Sequence, residues 1–320
     1  MPTASPHVSQ APTAKAELLC GVSPVLETPF TPTGEIDLDG FRRLARHVFG
    51  TGVTSVMYPG FAGEFYKLSE TERQALTLAL IDEARAFPDV AVIAAVQDHA
   101  TQLATARAIW SVEAGADAIN LLPPYFLGPS LRSVEAHIRE VLAAIPSTPV
   151  VLQYAPTETG TSLQAATIGA IAHDHPNLVL VKVESSPPGP FIAELGELDP
   201  PMLAFEGYAG VQLPDAIRRG AVGTQPGCSF TEIYVEIWRR FANGDEEGGA
   251  LLHSQLLPYI SYWMLHTETI NAAEKLISQR RGLIDSAYCR EPAHALDAEE
   301  VRTIDRFLRQ FDDLLPSVAR

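Results

Sequence analysis

The 320-residue chain predicts a (β/α)8, or TIM, barrel followed by a three-helix extension. Three observations carry that prediction. Short, almost continuously apolar runs alternate with longer amphipathic segments, the mark of strands and helices in turn. The alternation repeats eight times over about 225 residues, close to the ~250 typical of such barrels. No Gly-rich phosphate loop follows the first run, as the rival doubly wound sheet would lead one to look for.

The eight runs are VSPVLET (22–28), VTSVMYP (53–59), VAVIAAV (90–96), AINLL (118–122), PVVLQY (149–154), LVLVKVE (178–184), MLAFEG (202–207) and AVGTQP (221–226). Their near-continuous apolarity suits a parallel sheet covered on both faces. Helical patterns fill the gaps. One begins at Asp37. The next, SETERQALTLALIDEARAF, opens on Ser69 and Glu72, the spacing of a capping box. Others cover 101–115, 131–144, 163–174, 190–197, 210–219 and 229–242. We divide the chain into a Pro/Ala/Ser/Thr-rich tail over 1–17, expected to be disordered, a barrel over 18–244 and a helical extension over 245–320. The tail has no apolar core and does not read as a secretory signal.

A net charge of −16 argues against nucleic acid, whose phosphates it would repel, and against an anionic membrane surface. No apolar run approaches the roughly 20 residues needed to span a bilayer. Cys20, Cys228 and Cys289 are scattered without metal-ligand spacing and suggest a reducing, cytoplasmic setting. His173 and His175 flank Asp174 at a helix end, and His99 follows the third strand; neither arrangement suggests a metal. No flavin, nicotinamide or phosphate-loop fingerprint is present, so no cofactor is expected.

The chain has four lysines, Lys15, Lys67, Lys182 and Lys275, and one of them interrupts the apolar run NLVLVKVESS. On a strand, Leu180, Lys182 and Glu184 share one face and Val179, Val181 and Val183 the other. With the valines against the helices, Lys182 points into the barrel near the C-terminal end of strand six, where barrel enzymes build their sites. Two readings stand at this point. Lys182 pairs with Glu184, or snorkels out at the strand end, as a purely structural charge. Alternatively, desolvation favours the neutral amine, which attacks a ketone to form a Schiff base.

The order and spacing of further segments resemble the family of dihydrodipicolinate synthase and N-acetylneuraminate lyase over about residues 18–315. The likeness rests on TPF (28–30), GFAGEFYKLSETER (60–73), LPPYFLGPS (122–130), QYAPTETG (153–160), LVKVES (180–185), RGAVGTQPG (219–227) and the ending KLISQRRGLIDSAYCREPAHALDAEE (275–300). The resemblance implies a barrel with a helical extension, assembled as a homotetramer or dimer, with the Schiff-base lysine at Lys182 and a proton-shuttling tyrosine at Tyr154.

Departures from the family pattern bear on the substrate. The family's Gly-Thr-Thr-Gly-Glu loop reads Gly60-Phe61-Ala62-Gly63-Glu64 here. Both hydroxyls are gone, leaving the backbone N–H groups of Ala62 and Gly63 to hold a carboxylate. Phe126 replaces the second tyrosine of a Pro-Tyr-Tyr segment. Glu158 sits nearest the place of the arginine that synthases use for an anionic partner, which argues against dihydrodipicolinate synthase activity. The resemblance is nearest to the branch of 2-keto-3-deoxy sugar acid dehydratases, such as that acting on L-2-keto-3-deoxyarabonate. It is carried by Leu122-Pro-Pro-Tyr125, Gln153-Tyr-Ala-Pro156, Lys182-Val-Glu184 and Glu206-Gly207. Tyr154 departs from that branch, which has an acid there.

The expected function is therefore a Schiff-base lyase acting on a small 2-oxo acid, with dehydration through a Lys182 imine and enamine. Phe61, Ala62, Gly63, Tyr125, Glu184 and Gln225 are the candidate substrate-binding residues. Glu184 is also a candidate base. Two alternatives remain. One is an aldolase whose Phe61 and Phe126 form an apolar pocket for a bulky aldehyde. The other is a binding barrel that has lost the chemistry.

Overall fold

A computed structural model of the chain describes residues 18–315. The tail expected over 1–17 lies outside the described residues, as do the last five of the extension. Eight strands form one parallel sheet: β1 (Gly21–Val22), β2 (Ser55–Tyr58), β3 (Ala91–Val96), β4 (Ala118–Leu121), β5 (Val150–Tyr154), β6 (Leu178–Val183), β7 (Leu203–Glu206) and β8 (Gly223–Thr224). From β2 to β8 each pairs with its sequence neighbour, and β1 pairs with β8. The seam between β1 and β2 is closed past the end of β1, where Val25 bridges both Met57 and Gly227. The two terminal strands are shorter than the sequence suggests. Pro24 and Pro226 lack the N–H that would continue the ladder.

Each strand leads into a helix: α1 (Leu38–Phe49), α2 (Glu70–Ala84), α3 (Thr101–Ala114), α4 (Leu131–Ala144), α5 (Ala165–Asp174), α6 (Gly189–Gly196), α7 (Leu213–Arg218) and α8 (Thr231–Ala242). The capping box read at α2 is formed. The Ser69 hydroxyl accepts from the Glu72 N–H and the Glu72 carboxylate accepts from the Ser69 N–H at 2.9 Å. The extension is α9 (Glu246–Trp263), α10 (Thr267–Arg281) and α11 (Ala298–Gln310).

The apolar residues separate into an inner and an outer layer. Met57, Ile93, Val151, Leu180 and Phe205 fill the barrel. Val181 and Val183 pack outward with the helices, so β6 alternates as a strand must. Val179 is the exception to the face assigned from sequence. Val150 pairs with Leu178 and Val151 with Leu180. Val179 is the extra residue of a bulge and packs against the inner layer. Aromatic rings weld the extension to the barrel. Phe230, just before α8, lies 6.0 Å from Trp263 of α9 and 5.2 Å from Phe307 of α11, centroid to centroid, within the range of favourable ring pairs.

Candidate active site

Register places Lys182 beside Gln153 on β5 and Phe205 on β7, facing into the barrel at its C-terminal end. The lysine is 4% exposed. Its Nζ stands 3.2 Å from Glu184 Oε1. The other Glu184 oxygen accepts from Gln153 Nε2 at 2.6 Å, and Gln153 Oε1 accepts from Asn120 Nδ2 at 2.9 Å. Four side chains from three neighbouring strands thus form one line that fixes the Glu184 carboxylate against the amine. Space for that carboxylate depends on Gly207, where a Cβ would collide with the Glu184 side chain.

Lys182 opens onto a cavity at the C-terminal end of the barrel, where barrel enzymes place their sites. The barrel contributes Val25, Phe61, Ala62, Glu184, Gln225 and Gly227. The opposite wall comes from the extension, with Met264, Thr267, Ile270, Asn271 and Glu274. The rim is held by Glu158, whose Oε1 accepts from the Tyr208 hydroxyl at 2.6 Å. Tyr208 and Ala209 both have left-handed backbones, at φ 47° and 52°, a strained conformation for residues with a Cβ. Burial raises the Glu158 carboxyl above its ordinary range, and the Tyr208 bond offsets part of that rise. Close by, Glu206 is fully buried, accepting from the Gln212 N–H at 3.2 Å and the Thr224 hydroxyl at 3.0 Å. Desolvation pushes it up to about 8, so it holds a proton at neutral pH.

The structure brings together Lys182, Glu184, Phe61, Ala62 and Gln225 around this cavity. Gln225 donates to Ser23 Oγ at 3.1 Å and keeps its carbonyl oxygen unpaired. Gly63 is less available than expected. Its N–H closes a turn onto the Gly60 carbonyl at 3.0 Å, which leaves the Ala62 amide outside the loop's own hydrogen bonds. Tyr125 packs at the mouth beside Phe61, Leu122 and Ala155 and is not among the cavity-lining residues. Phe126 is 65% exposed and turns its ring toward His99, so within the chain the expected Phe61–Phe126 pocket does not form. Met264 and Ile270 share the cavity lining with Phe61 instead.

Tyr154 is the clearest departure from expectation. Its ring faces away from Lys182, stacked on Phe191 at 4.3 Å, with its hydroxyl 3.3 Å from Ser162 Oγ. The physical reason is the period of two along β5. Gln153 is the residue in register with Lys182, and its neighbour must point to the helices. Sequence reasoning also passed over Gln153 and Tyr208, and the α10 wall. Alternation along β5 could have found Gln153, but only once its register with β6 was known. Nothing local in the sequence assigns α10 to the cavity.

Comparison with known proteins agrees with this architecture. The family model described as the dihydrodipicolinate synthetase family matches residues 18–311. The chain is 30% identical over 254 residues to a 4-hydroxy-tetrahydrodipicolinate synthase of Synechococcus sp. (strain CC9605), covering 78% of this chain and 82% of the relative. It is 24% identical over 300 residues to the L-2-keto-3-deoxyarabonate dehydratase of Azospirillum brasilense, covering 92% and 95%. The crystal structure of dihydrodipicolinate synthase from Rhodopseudomonas palustris superposes with a TM-score of 0.85 at 25% identity, covering 92% of this chain and 98% of the other. With its eight-stranded barrel, its buried strand-six lysine and a family match across nearly the whole described chain, the protein belongs to the dihydrodipicolinate synthetase family.

Proposed function

We propose that the protein is a Schiff-base lyase that dehydrates a 2-keto-3-deoxy sugar acid. The observation that carries this reading is the buried Lys182–Glu184 pair at 3.2 Å, open to a cavity at the C-terminal end of the barrel. Glu184 takes a proton from the ammonium, and the neutral amine attacks C2 of the 2-oxo acid. Loss of water from the carbinolamine gives the protonated imine. Glu184, fixed by Gln153, is placed to remove a C3 proton, and the electrons pass into the imine as an enamine. The enamine expels the C4 hydroxyl, which leaves as water on protonation. Hydrolysis of the conjugated imine then releases the product and Lys182, for a net loss of one water.

Two features support a polyhydroxylated substrate. The Glu158–Tyr208 pair, with the Tyr208 proton held by Glu158, offers carboxylate and phenol oxygens that accept from substrate hydroxyl groups. A carboxylate at that position disfavours a second anionic partner, which weighs against dihydrodipicolinate synthase activity. The Ala62 N–H and the Gln225 side chain are the candidate contacts for the substrate's carboxylate end. Retro-aldol cleavage is the second reading, supported by the apolar wall of Phe61, Met264 and Ile270. Borohydride trapping with pyruvate and with 2-keto-3-deoxy sugar acids, followed by peptide mapping, tests the imine. An adduct on Lys182 is expected. Absence of any adduct in folded protein would reject the chemistry, and product analysis separates water loss from carbon–carbon cleavage.

A further inference from the structure

Beside the catalytic cavity lies a second group of side chains that the lyase chemistry does not use. Glu27 follows β1, Cys228 follows β8 and Glu274 is on α10. They are 2%, 1% and 3% exposed, and one ligand atom from each lies within 4.8 Å of the others. Neither carboxylate oxygen of Glu27 meets a donor in hydrogen-bonding geometry, and Glu274 Oε1 is likewise unpaired. The Ser278 hydroxyl stands beside Glu27 and offsets only part of its burial. The other Glu274 oxygen accepts a long bond from the Ser229 N–H at 3.3 Å, and the Ser229 hydroxyl and Cys228 N–H beside the carboxyl offset only part of its burial.

The cations nearby are committed elsewhere. Lys275 binds Glu64 and donates to the Tyr288 carbonyl at 3.0 Å. Arg281 is held by Glu232 and by the Ser229 carbonyl. The two buried acids therefore have no direct ion-pair partner, and Lys275 and Arg281 offset only part of the burial of Glu27, an arrangement that is costly unless something neutralises them. Burial beside the two carboxylates pushes the Cys228 thiol up, and the Glu27 N–H aimed at its Sγ from 3.4 Å offsets only part of that, so an ion bound here would displace the thiol proton. A Cβ on Gly227 would strike the Glu274 carboxylate, so the glycine keeps room for it next to the thiol. Glu274 also lines the cavity, which gives a small ion a way in.

We infer that Glu27, Cys228 and Glu274 form a binding site for a zinc-class divalent ion that fastens α10 to the open end of the barrel. Two carboxylates and one thiolate are a donor set suited to a borderline-soft ion. Tetrahedral zinc bonds of about 2.0–2.3 Å bring such donors to about 3.5 Å apart, so the site closes by a small inward movement of the three side chains. The Ser229 and Ser278 hydroxyls, buried beside Glu274 and Glu27 without a well-aligned hydrogen bond, are at hand for a fourth position. The competing arrangement is a proton on each carboxyl, which burial favours by raising both. It leaves the thiol unused and predicts no metal uptake.

The full chain, stripped with chelator, is titrated with Co²⁺ by absorption and with Zn²⁺ by calorimetry. One equivalent is expected to bind, with a thiolate-to-cobalt charge-transfer band that is absent from Cys228→Ser. Glu274→Gln, which keeps the side-chain volume, should bind at least about 10-fold more weakly and lose the few-degree rise in Tm that Zn²⁺ gives the stripped wild type. Circular dichroism of the stripped variants checks that they fold, and should Cys228→Ser fail that check, Glu274→Gln and the wild-type band decide. Folded wild type that takes up neither ion, a band that persists in Cys228→Ser, or unchanged affinity in Glu274→Gln would each overturn the assignment. Lys182→Ala should bind the ion normally, so failure of this site and failure of the imine chemistry are told apart.

Discussion

Lys182 and Lys275 are both buried and both paired with a glutamate, and only the first opens onto the cavity. Lys275 is the more deeply enclosed, at 0% exposure against 4%. Its Nζ is spent on Glu64 and the Tyr288 carbonyl and lies 4.2 Å from the Phe30 ring centre. Glu64 is itself held from the other side by Lys67 Nζ at 3.0 Å. Lys182 has Glu184 as its ion-pair partner and otherwise faces the cavity. Burial alone therefore does not mark a nucleophile. An amine caged by three partners fixes the α10 interface, while an amine with one ion-pair partner beside an open cavity is accessible for the chemistry we propose.

The sharpest way to break this contrast is to delete each amine in turn. Lys182→Ala should lower kcat at least about 10⁴-fold, roughly 5 kcal/mol of barrel chemistry, with little change in Tm; steady-state kinetics and a thermal melt check both halves. Lys275→Met should do the reverse. It leaves Glu64 buried with half its charge compensation and should cost about 3–5 kcal/mol of stability, read by urea denaturation, with near-normal turnover in the molecules that remain folded. A folded and active Lys182→Ala protein would end the distinction.

Glu184→Gln keeps the shape of the line from Asn120 to Lys182 but removes its base. We expect a loss in kcat of about 10²-fold, with the imine still trappable by borohydride. Glu206 tests the charge balance just outside the cavity. Its carboxyl sits near 8 in the folded chain against an ordinary 4.5, so the folded state holds that proton more tightly than the unfolded one. The contribution is complete below about pH 4.5 and is lost as pH rises through 8. Glu206→Gln should therefore gain stability relative to wild type at pH 8.5, by about 2 kcal/mol once relaxation of the ionised site is allowed for, and gain little at pH 5; paired denaturant titrations measure the difference. The smallest effect belongs to Tyr154→Phe. With its hydroxyl 3.3 Å from Ser162 and its ring on the helix side, we expect less than about 1 kcal/mol in stability and no more than a twofold change in kcat. A large drop in kcat would return Tyr154 to the proton relay.

Much of the fold was legible because its code is local. Apolar runs, caps and helix periods located all eight strands and the eight main helices that follow them, though not the single turn of helix at Pro156–Thr159, and the shortfalls at β1 and β8 follow from Pro24 and Pro226. The direction of Lys182 was legible for the same reason, since the apolar face of β6 told inside from outside. Tyr154 was not. PVVLQY is apolar on both faces, so the strand alone leaves open which residue faces in, and the answer lies in pairing with β6. Glu206 could have been found by the reasoning that found Lys182, a charge within an apolar run. Glu27, Cys228 and Glu274 could not. They are brought together only by closure of the barrel and docking of α10, across more than 200 residues of chain.

The division of the cavity between barrel and extension has a consequence for how the protein is made. Synthesis proceeds from the N-terminus, so β6 and its lysine leave the ribosome before Met264, Ile270 and Asn271 exist to face them. A nascent barrel has the Lys182 amine but not the extension's side of the cavity that it opens onto. If the proposed chemistry holds, it becomes available only once the extension's helices arrive and dock, which ties activity to completion of the cavity wall rather than to barrel formation.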